Sequence, residues 1–232
     1  DLIILKNKAK NYSMPQARGL RTKVDLKSKY LERLLKDFNQ KKEIKVVWDA
    51  GNGSAGKIMK TLANKIQGKK IILYDEINGD FPNHHPDPSD ADNLIDCQKN
   101  IINNNLDIGL AFDGDGDRLG VIDDLGRVIS GDKILLLLAK ELLKKKKIKV
   151  IADVKCSQVL FNEIKRLGGE IIMSQTGHSH VKNNLKKFKA ELAGEMSGHI
   201  FFADNYYGFD DALYAAVKML EIINDNEKKL SE

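Results

Sequence analysis

From about residue 44 the chain alternates short, wholly apolar runs with longer stretches whose apolar positions recur at helical spacing. The runs 44–48, 71–74, 107–112, 149–152, 169–173 and 190–193 read as strands. They are four to six residues long and mostly apolar on both sides, as strands covered by helices on both faces are. Between them the spacing predicts helices near 54–66, 91–104, 132–147, 157–167 and 178–188. A last helix is predicted over about 210–224, opened by the capping pair Asp210-Asp211. Strands alternating with helices imply α/β units around mostly parallel sheets.

Two such units in series fit the pattern better than one sheet. The first, residues 30–129, closes with a hairpin in which 119–122 and 128–129 flank the turn Asp123-Asp-Leu-Gly126. The second covers 130–232. The expected fold is therefore α/β: two consecutive domains with mixed, mostly parallel sheets flanked by helices. Residues 1–29, broken by Pro15 and Gly19, read as a linker or the remnant of a preceding domain, and no internal repeat is evident. Because the first residue is Asp rather than Met, the chain is expected to be a piece of something longer.

Composition narrows the partners. At 42% hydrophobic the 232 residues suit a folded protein, and the longest apolar run, Ile134 to Ala139, is far short of the ~20 residues a membrane helix needs. No signal peptide is visible, and two cysteines, Cys97 and Cys156, form no disulfide framework, so a cytoplasmic location is expected. The net charge of +5 comes almost entirely from lysine: of 38 cationic residues only six are arginines. Base readout relies on arginine and stacking on aromatics, which are only 6% here, so nucleic acid is not the expected partner.

The glycine cluster Gly51-Asn-Gly53-Ser-Ala-Gly56 matches a dinucleotide fingerprint, with Asp75 ending the next strand. Asp49, immediately before it, would lie close to a pyrophosphate, and no other motif serves a hydride carrier. The glycines are read instead as permitting a tight strand-to-helix turn.

The densest chemistry is Asp113-Gly-Asp115-Gly-Asp117-Arg118, at the end of the strand 107–112. Two carboxylates ~4 Å apart repel by ~4 kcal/mol at an effective dielectric of 20, so such a set persists mainly around a cation. Glycines at 114 and 116 let the backbone curl, where a straight strand would hold alternate residues ~6.6 Å apart. All-oxygen ligation with open positions favours Mg²⁺ over a full calcium cage. An EF-hand is excluded because its sixth and twelfth positions, Gly and Glu, are Arg118 and Asp124 here. The planar fork of Arg118 suits phosphate oxygens.

In the second half, Glu195, Ser197 and His199 of Gly194-Glu-Met-Ser-Gly-His199 would share one face if that piece were extended. An acid, a hydroxyl and an imidazole in a row suit recognition of a polyhydroxyl ligand such as a sugar. No nucleophile elbow is present to support a hydrolytic triad. Lys155 and His178 sit at predicted strand ends, where open α/β sheets gather ligands. The segment Asn83-His-His-Pro-Asp-Pro88 reads as a rigid, proline-fixed loop rather than a metal site.

In combination these motifs resemble the α-D-phosphohexomutase family, closest to its bacterial phosphomannomutase/phosphoglucomutase branch. The matching segments are DAGNGSAG at 49–56, GDFPNHHPDP at 79–88, AFDGDGDR at 111–118, DVKC at 153–156, TGHS at 176–179, GEMSGHIFF at 194–202 and YGFDDALYA at 207–215. Members have four domains around a cleft, and this chain looks like the second and third. The resemblance implies that Asp113, Asp115 and Asp117 hold Mg²⁺ and that Arg118 lies against the transferring phosphate. It places Lys155 and His178 in the active site and Gly177, Glu195, Ser197 and His199 in substrate recognition. The implied reaction moves a phosphoryl group from a phosphoserine to a hexose phosphate, through a bisphosphate. The implied partners are hexose phosphate, hexose bisphosphate and the first and fourth domains of the same polypeptide.

The family's serine loop, of the type TASHNP, and its fourth-domain phosphate loop do not occur in these residues, and Gln175 stands where a lysine often precedes TGH. Met196 leans toward mannose or glucose over glucosamine substrates. The alternatives are a stand-alone metal- or sugar-phosphate-binding module and a phosphoglucosamine mutase fragment.

Overall fold

The computed structural model describes residues 2–12 and 19–232. The first strands form over apolar runs rich in β-branched residues. β1 (Val46–Asp49) is buried along its whole length, and α3 (Gly56–Ala63) returns the chain to β2 (Lys70–Leu73). A 3₁₀ turn, Ala91–Leu94, is opened by Asp90, whose side chain accepts the Asp92 N–H; it runs into α4 (Ile95–Asn104). Then follow β3 (Ile108–Phe112), β4 (Leu119–Asp123) and β5 (Val128–Ile129). The sheet order is β2-β1-β3-β4-β5, parallel as far as β3 and antiparallel beyond it.

The second unit repeats this plan. It runs α5 (Gly131–Leu143), β6 (Lys149–Asp153), α6 (Gln158–Arg166), β7 (Glu170–Ser174), α7 (His178–Phe188), β8 (Leu192–Gly194), β9 (Ile200–Phe202) and α8 (Ala212–Asp225). Its sheet order, β7-β6-β8-β9, again has three parallel strands and then an antiparallel one. The expected α/β class with mixed, mostly parallel sheets is what forms. The shared strand order is a repeat of topology that no sequence repeat announces.

Two differences lie at the start of the chain. Residues 1–29, expected to be a linker or the remnant of a preceding domain, include helix α1 (Leu2–Lys10), which buries no residue, and the first turn of α2 (Lys27–Leu35). Leu31 and Leu34 of α2 pack into the core, so this helix is held by its apolar stripe. Of the two expected breakers, Pro15 lies outside the described residues and Gly19 lies in irregular chain.

One buried cluster runs through both units, joining Trp48, Phe112 and Leu119 to Leu135, Tyr214 and Leu220. The opposite faces have their own cores: Val47, Cys97 and Ile101 around α4, and Ile151, Val181 and Phe201 around α7. Each sheet is thus covered on both sides, which is why its central strands read as continuous apolar runs. The lysines at 145–147, beyond the end of α5, are exposed as a solvated surface. No described helix is long and apolar enough to cross a membrane.

Candidate active site

The carboxylate loop follows β3, and its shape is set by its first residue. Asp113 Oδ1 accepts the backbone N–H groups of Gly116, Asp117 and Arg118 at 2.9–3.0 Å. Asp113 Oδ2 accepts from Arg118 Nε at 2.8 Å. Gly116 takes φ +84°, a conformation costly for other residues, and so lets the loop curl as the glycine spacing predicts. One carboxylate oxygen from each of Asp113, Asp115 and Asp117 lies within 4.8 Å of the others. Asp113 is buried and Asp115 exposed. An all-oxygen set with an exposed member fits a hard divalent cation that keeps water or phosphate in its remaining positions.

Glu195, Ser197 and His199 meet by a different geometry from the one expected. The segment is not extended. It is the turn between β8 and β9, closed by Glu195 N–H donating to the His199 carbonyl at 3.0 Å. His199 Nδ1 therefore faces Glu195 Oε2 at 3.1 Å and Ser197 Oγ at 3.0 Å across the turn. The other ring nitrogen, Nε2, lies 3.2 Å from Asp117 Oδ1. Burial lowers the His199 pKa, but hydrogen bonds to Asp117 and Glu195 outweigh it and lift the imidazole to about 9. His199 in turn lowers Asp117. Hydrogen bonds from His199 and the Gly177 N–H also hold Glu195 below the usual carboxylate range, against its burial.

The two loops are stitched together by backbone. Arg118 and His199 form an antiparallel bridge, Leu119 N–H donates to the Gly198 carbonyl, and Ala212 N–H donates to the Gly116 carbonyl. The carboxylate loop of the first unit and the Glu195–His199 turn of the second thus form one cleft.

Gly177 and His178 join it from the third side. Gly177 N–H donates to Glu195 Oε1 at 2.6 Å, and the His178 ring stacks on His199 with centroids 5.8 Å apart. Lys155 lies apart from this imidazole cluster. It lines a cavity of about 380 Å³ with Met196, Ser197 and Gly198, and its ammonium makes no hydrogen bond or ion pair among the described residues.

Four contributors escape the motif reading. The 83–88 loop is not only a rigid spacer: Asp87 Oδ1 accepts from Arg118 Nη1 at 2.8 Å, and His84 Nε2 sits 3.2 Å from both oxygens of buried Asp49. Asp49 also caps Gly51 N–H at 2.9 Å, so it is an anchor of the glycine turn rather than a group facing solvent. Asp153, at the end of β6, accepts from Thr176 Oγ1, Cys156 Sγ and the Met196 N–H, tying three loops to one carboxylate. Burial, with the bond to Asp153 second, pushes the Cys156 thiol up, which leaves it an inert core group. Asp210, read only as a helix cap, instead points at His178 and His199; Asp211 makes the cap by accepting Tyr214 N–H. A carboxylate at a strand end was the one available signal for Asp49 and Asp153.

Comparison with known proteins covers both units. Residues 28–126 match the family model described as phosphoglucomutase/phosphomannomutase, alpha/beta/alpha domain II, and residues 130–232 match domain III. The chain belongs to the phosphoglucomutase/phosphomannomutase family. A phosphomannomutase/phosphoglucomutase of Pseudomonas putida is 40% identical over 225 residues, 97% of this chain and 49% of the relative. A phosphoglucomutase of Neisseria gonorrhoeae is 44% identical over 214 residues, covering 90% of this chain and 46% of its own. The crystal structure of a phosphoglucomutase/phosphomannomutase family protein from Burkholderia thailandensis superposes with a TM-score of 0.84 at 43% identity, over 88% of this chain and 45% of that one. The chain thus spans about half the length of the curated relatives it matches.

Proposed function

We propose that this chain is the metal- and sugar-handling half of a phosphohexomutase that interconverts the 1- and 6-phosphates of mannose or glucose. The observation that carries the reading is the contact of His199 Nε2 with Asp117 at 3.2 Å, which puts the sugar turn against the carboxylate loop. A site that reads sugar hydroxyls on one wall and neutralises phosphate on the other suits phosphoryl transfer, which is mostly positioning and charge stabilisation.

Asp113, Asp115 and Asp117 would hold Mg²⁺, which supplies Lewis-acid neutralisation of the transferring phosphoryl oxygens. Arg118 uses Nε and Nη1 on Asp113 and Asp87, leaving Nη2 as its free edge for a phosphate oxygen. Glu195, Ser197 and the Gly177–His178 turn orient sugar hydroxyls, and the His199 imidazolium, held between Glu195 and Asp117, adds its positive charge beside the reacting oxygens. Lys155 adds an unpaired positive charge on the adjoining wall. A phosphoserine carried by a part of the polypeptide outside this chain donates the phosphoryl group. Its O–P bond breaks as a sugar O–P bond forms, and the sugar hydroxyl proton ends on the serine oxygen. After the bisphosphate reorients, the reverse transfer regenerates the phosphoserine.

The test is to assay the longer parent polypeptide with mannose 1-phosphate, glucose 1-phosphate and glucosamine 1-phosphate, beside this chain alone. Turnover of the first two by the parent and none by the chain is expected. Turnover by the isolated chain, or preference for the glucosamine substrate, overturns the reading.

A further inference from the structure

Asp210 Oδ2 is a buried carboxylate oxygen that no described residue hydrogen-bonds. The Asp210 side chain is 10% exposed. The nearest basic atoms are His178 Nδ1 at 3.6 Å and His199 Nε2 at 3.9 Å, both beyond a good hydrogen bond. A proton on either ring therefore leaves Oδ2 unbonded. Such an unbonded buried atom is costly, more so when charged, unless something else fills the gap.

The atoms around the gap are metal donors. One ligand atom from each of Asp117, His199 and Asp210 lies within 4.8 Å of the other two. Ligands ~2.0–2.1 Å from a tetrahedral ion are ~3.4 Å apart, close to the 3.2 Å and 3.9 Å that separate Nε2 from the two carboxylate oxygens. His199 presents Nε2 because its other nitrogen is held by Glu195 at 3.1 Å, the carboxylate–histidine arrangement that orients and strengthens imidazole ligands. The three ligands sit on separate backbone segments fixed to one another: Arg118, next to Asp117, bridges His199, and Asp210 bridges Phe201. The set is thus assembled by the fold before any ion arrives.

We propose that Asp117, His199 and Asp210 form a second cation site, one that takes a borderline ion such as Zn²⁺ in preference to Mg²⁺. One nitrogen and two oxygens with a fourth position open to the cleft match the three-ligand Zn²⁺ pattern, whereas the neighbouring all-oxygen loop matches a hard ion. Binding replaces the proton on Nε2, and it removes His199 and Asp117 from other work in the cleft. The site stands whether or not the parent polypeptide is a mutase, because it needs only residues of this chain.

Titration of the 232-residue chain with Zn²⁺, without added Mg²⁺ because Asp117 belongs to both sets, reads it directly, and back-titration with Mg²⁺ reads the preference. One Zn²⁺ per chain is expected, with Co²⁺ giving the visible bands of a tetrahedral site. Replacing His199→Gln should abolish that site, and Glu195→Gln should weaken it about tenfold by removing the Nδ1 partner. Asp115→Asn, which touches only the three-aspartate set, should leave Zn²⁺ affinity within about twofold; circular dichroism confirms that each variant is folded. The proposal fails if wild type retains no Zn²⁺, or if Asp115→Asn lowers its affinity as much as His199→Gln does.

Discussion

Arg118 is held by two carboxylates from different parts of the first domain, Asp113 through Nε and Asp87 through Nη1, each at 2.8 Å. Asp113 belongs to the same loop as the arginine. Asp87 comes from the proline-fixed segment before α4, and its role is to hold the guanidinium at a fixed angle. Burial raises the Asp87 pKa, but bonds from Ser89 and the charge of Arg118 outweigh it and keep the carboxyl ionised below its ordinary range.

Replacing Asp87→Asn is therefore expected to loosen Arg118 rather than unfold the chain. Both side chains are about one-quarter exposed, so solvent screens the pair and the stability loss should be only about 1 kcal/mol. For a chain of this length that corresponds to a fall of about 2–4 °C in melting temperature. Thermal melts of the two proteins check this, with hexose bisphosphate affinity as the second readout: it should drop several-fold in Asp87→Asn. Unchanged affinity with an unchanged melting temperature would show that Asp87 does not position the arginine.

The contact of His84 with Asp49 predicts a dependence of stability on pH. The hydrogen bond to Asp49 raises the His84 pKa above its ordinary value of 6.5, against the opposing effect of burial. A raised histidine pKa stabilises the fold fully below about 6.5 and loses that contribution as pH rises through the folded value. Stability should thus fall as pH climbs above 6.5 through the raised folded-state pKa. In His84→Gln that part of the slope should disappear. Chemical denaturation at a series of pH values decides the matter, and parallel profiles for the two proteins would refute it.

The glycine turn offers a third prediction. A Cβ on Gly56 would lie 2.3 Å from the backbone oxygen of Asp75, which cannot move aside as a side chain would. Gly79, by contrast, has nothing within 4 Å of where its Cβ would be. Gly56→Ala is expected to cost about 1–3 kcal/mol, as forced overpacking does, while Gly79→Ala should stay within about 0.5 kcal/mol of wild type. Urea unfolding of both variants measures it. Equal stability would mean that the glycine is there for a ligand rather than for close packing.

Much of the architecture was legible in the sequence because each strand is buried on both faces and each helix carries one apolar stripe. Those constraints are local, and they located both sheets and the hairpin of β4 and β5. The early helices α1 and α2 were missed because one buries nothing and the other is anchored only by contacts with distant residues. The curl of the carboxylate loop was equally readable, since glycine between the aspartates permits a backbone turn that other residues resist.

What the sequence determined, then, was the identity of the chemical groups and the local turns that carry them. The partnerships were decided by the tertiary structure. Glu195 faces His199 because a turn folds the segment back, not because a strand aligns them; Asp87 reaches Arg118 across 31 residues. Asp117, His199 and Asp210 converge only because two domains share one core and their loops are bridged backbone to backbone. Spacing along a chain fixes which side chains share a face over a few residues. Which charges end up 3 Å apart across a cleft depends on how sheets and helices pack, and that is a property of the whole fold.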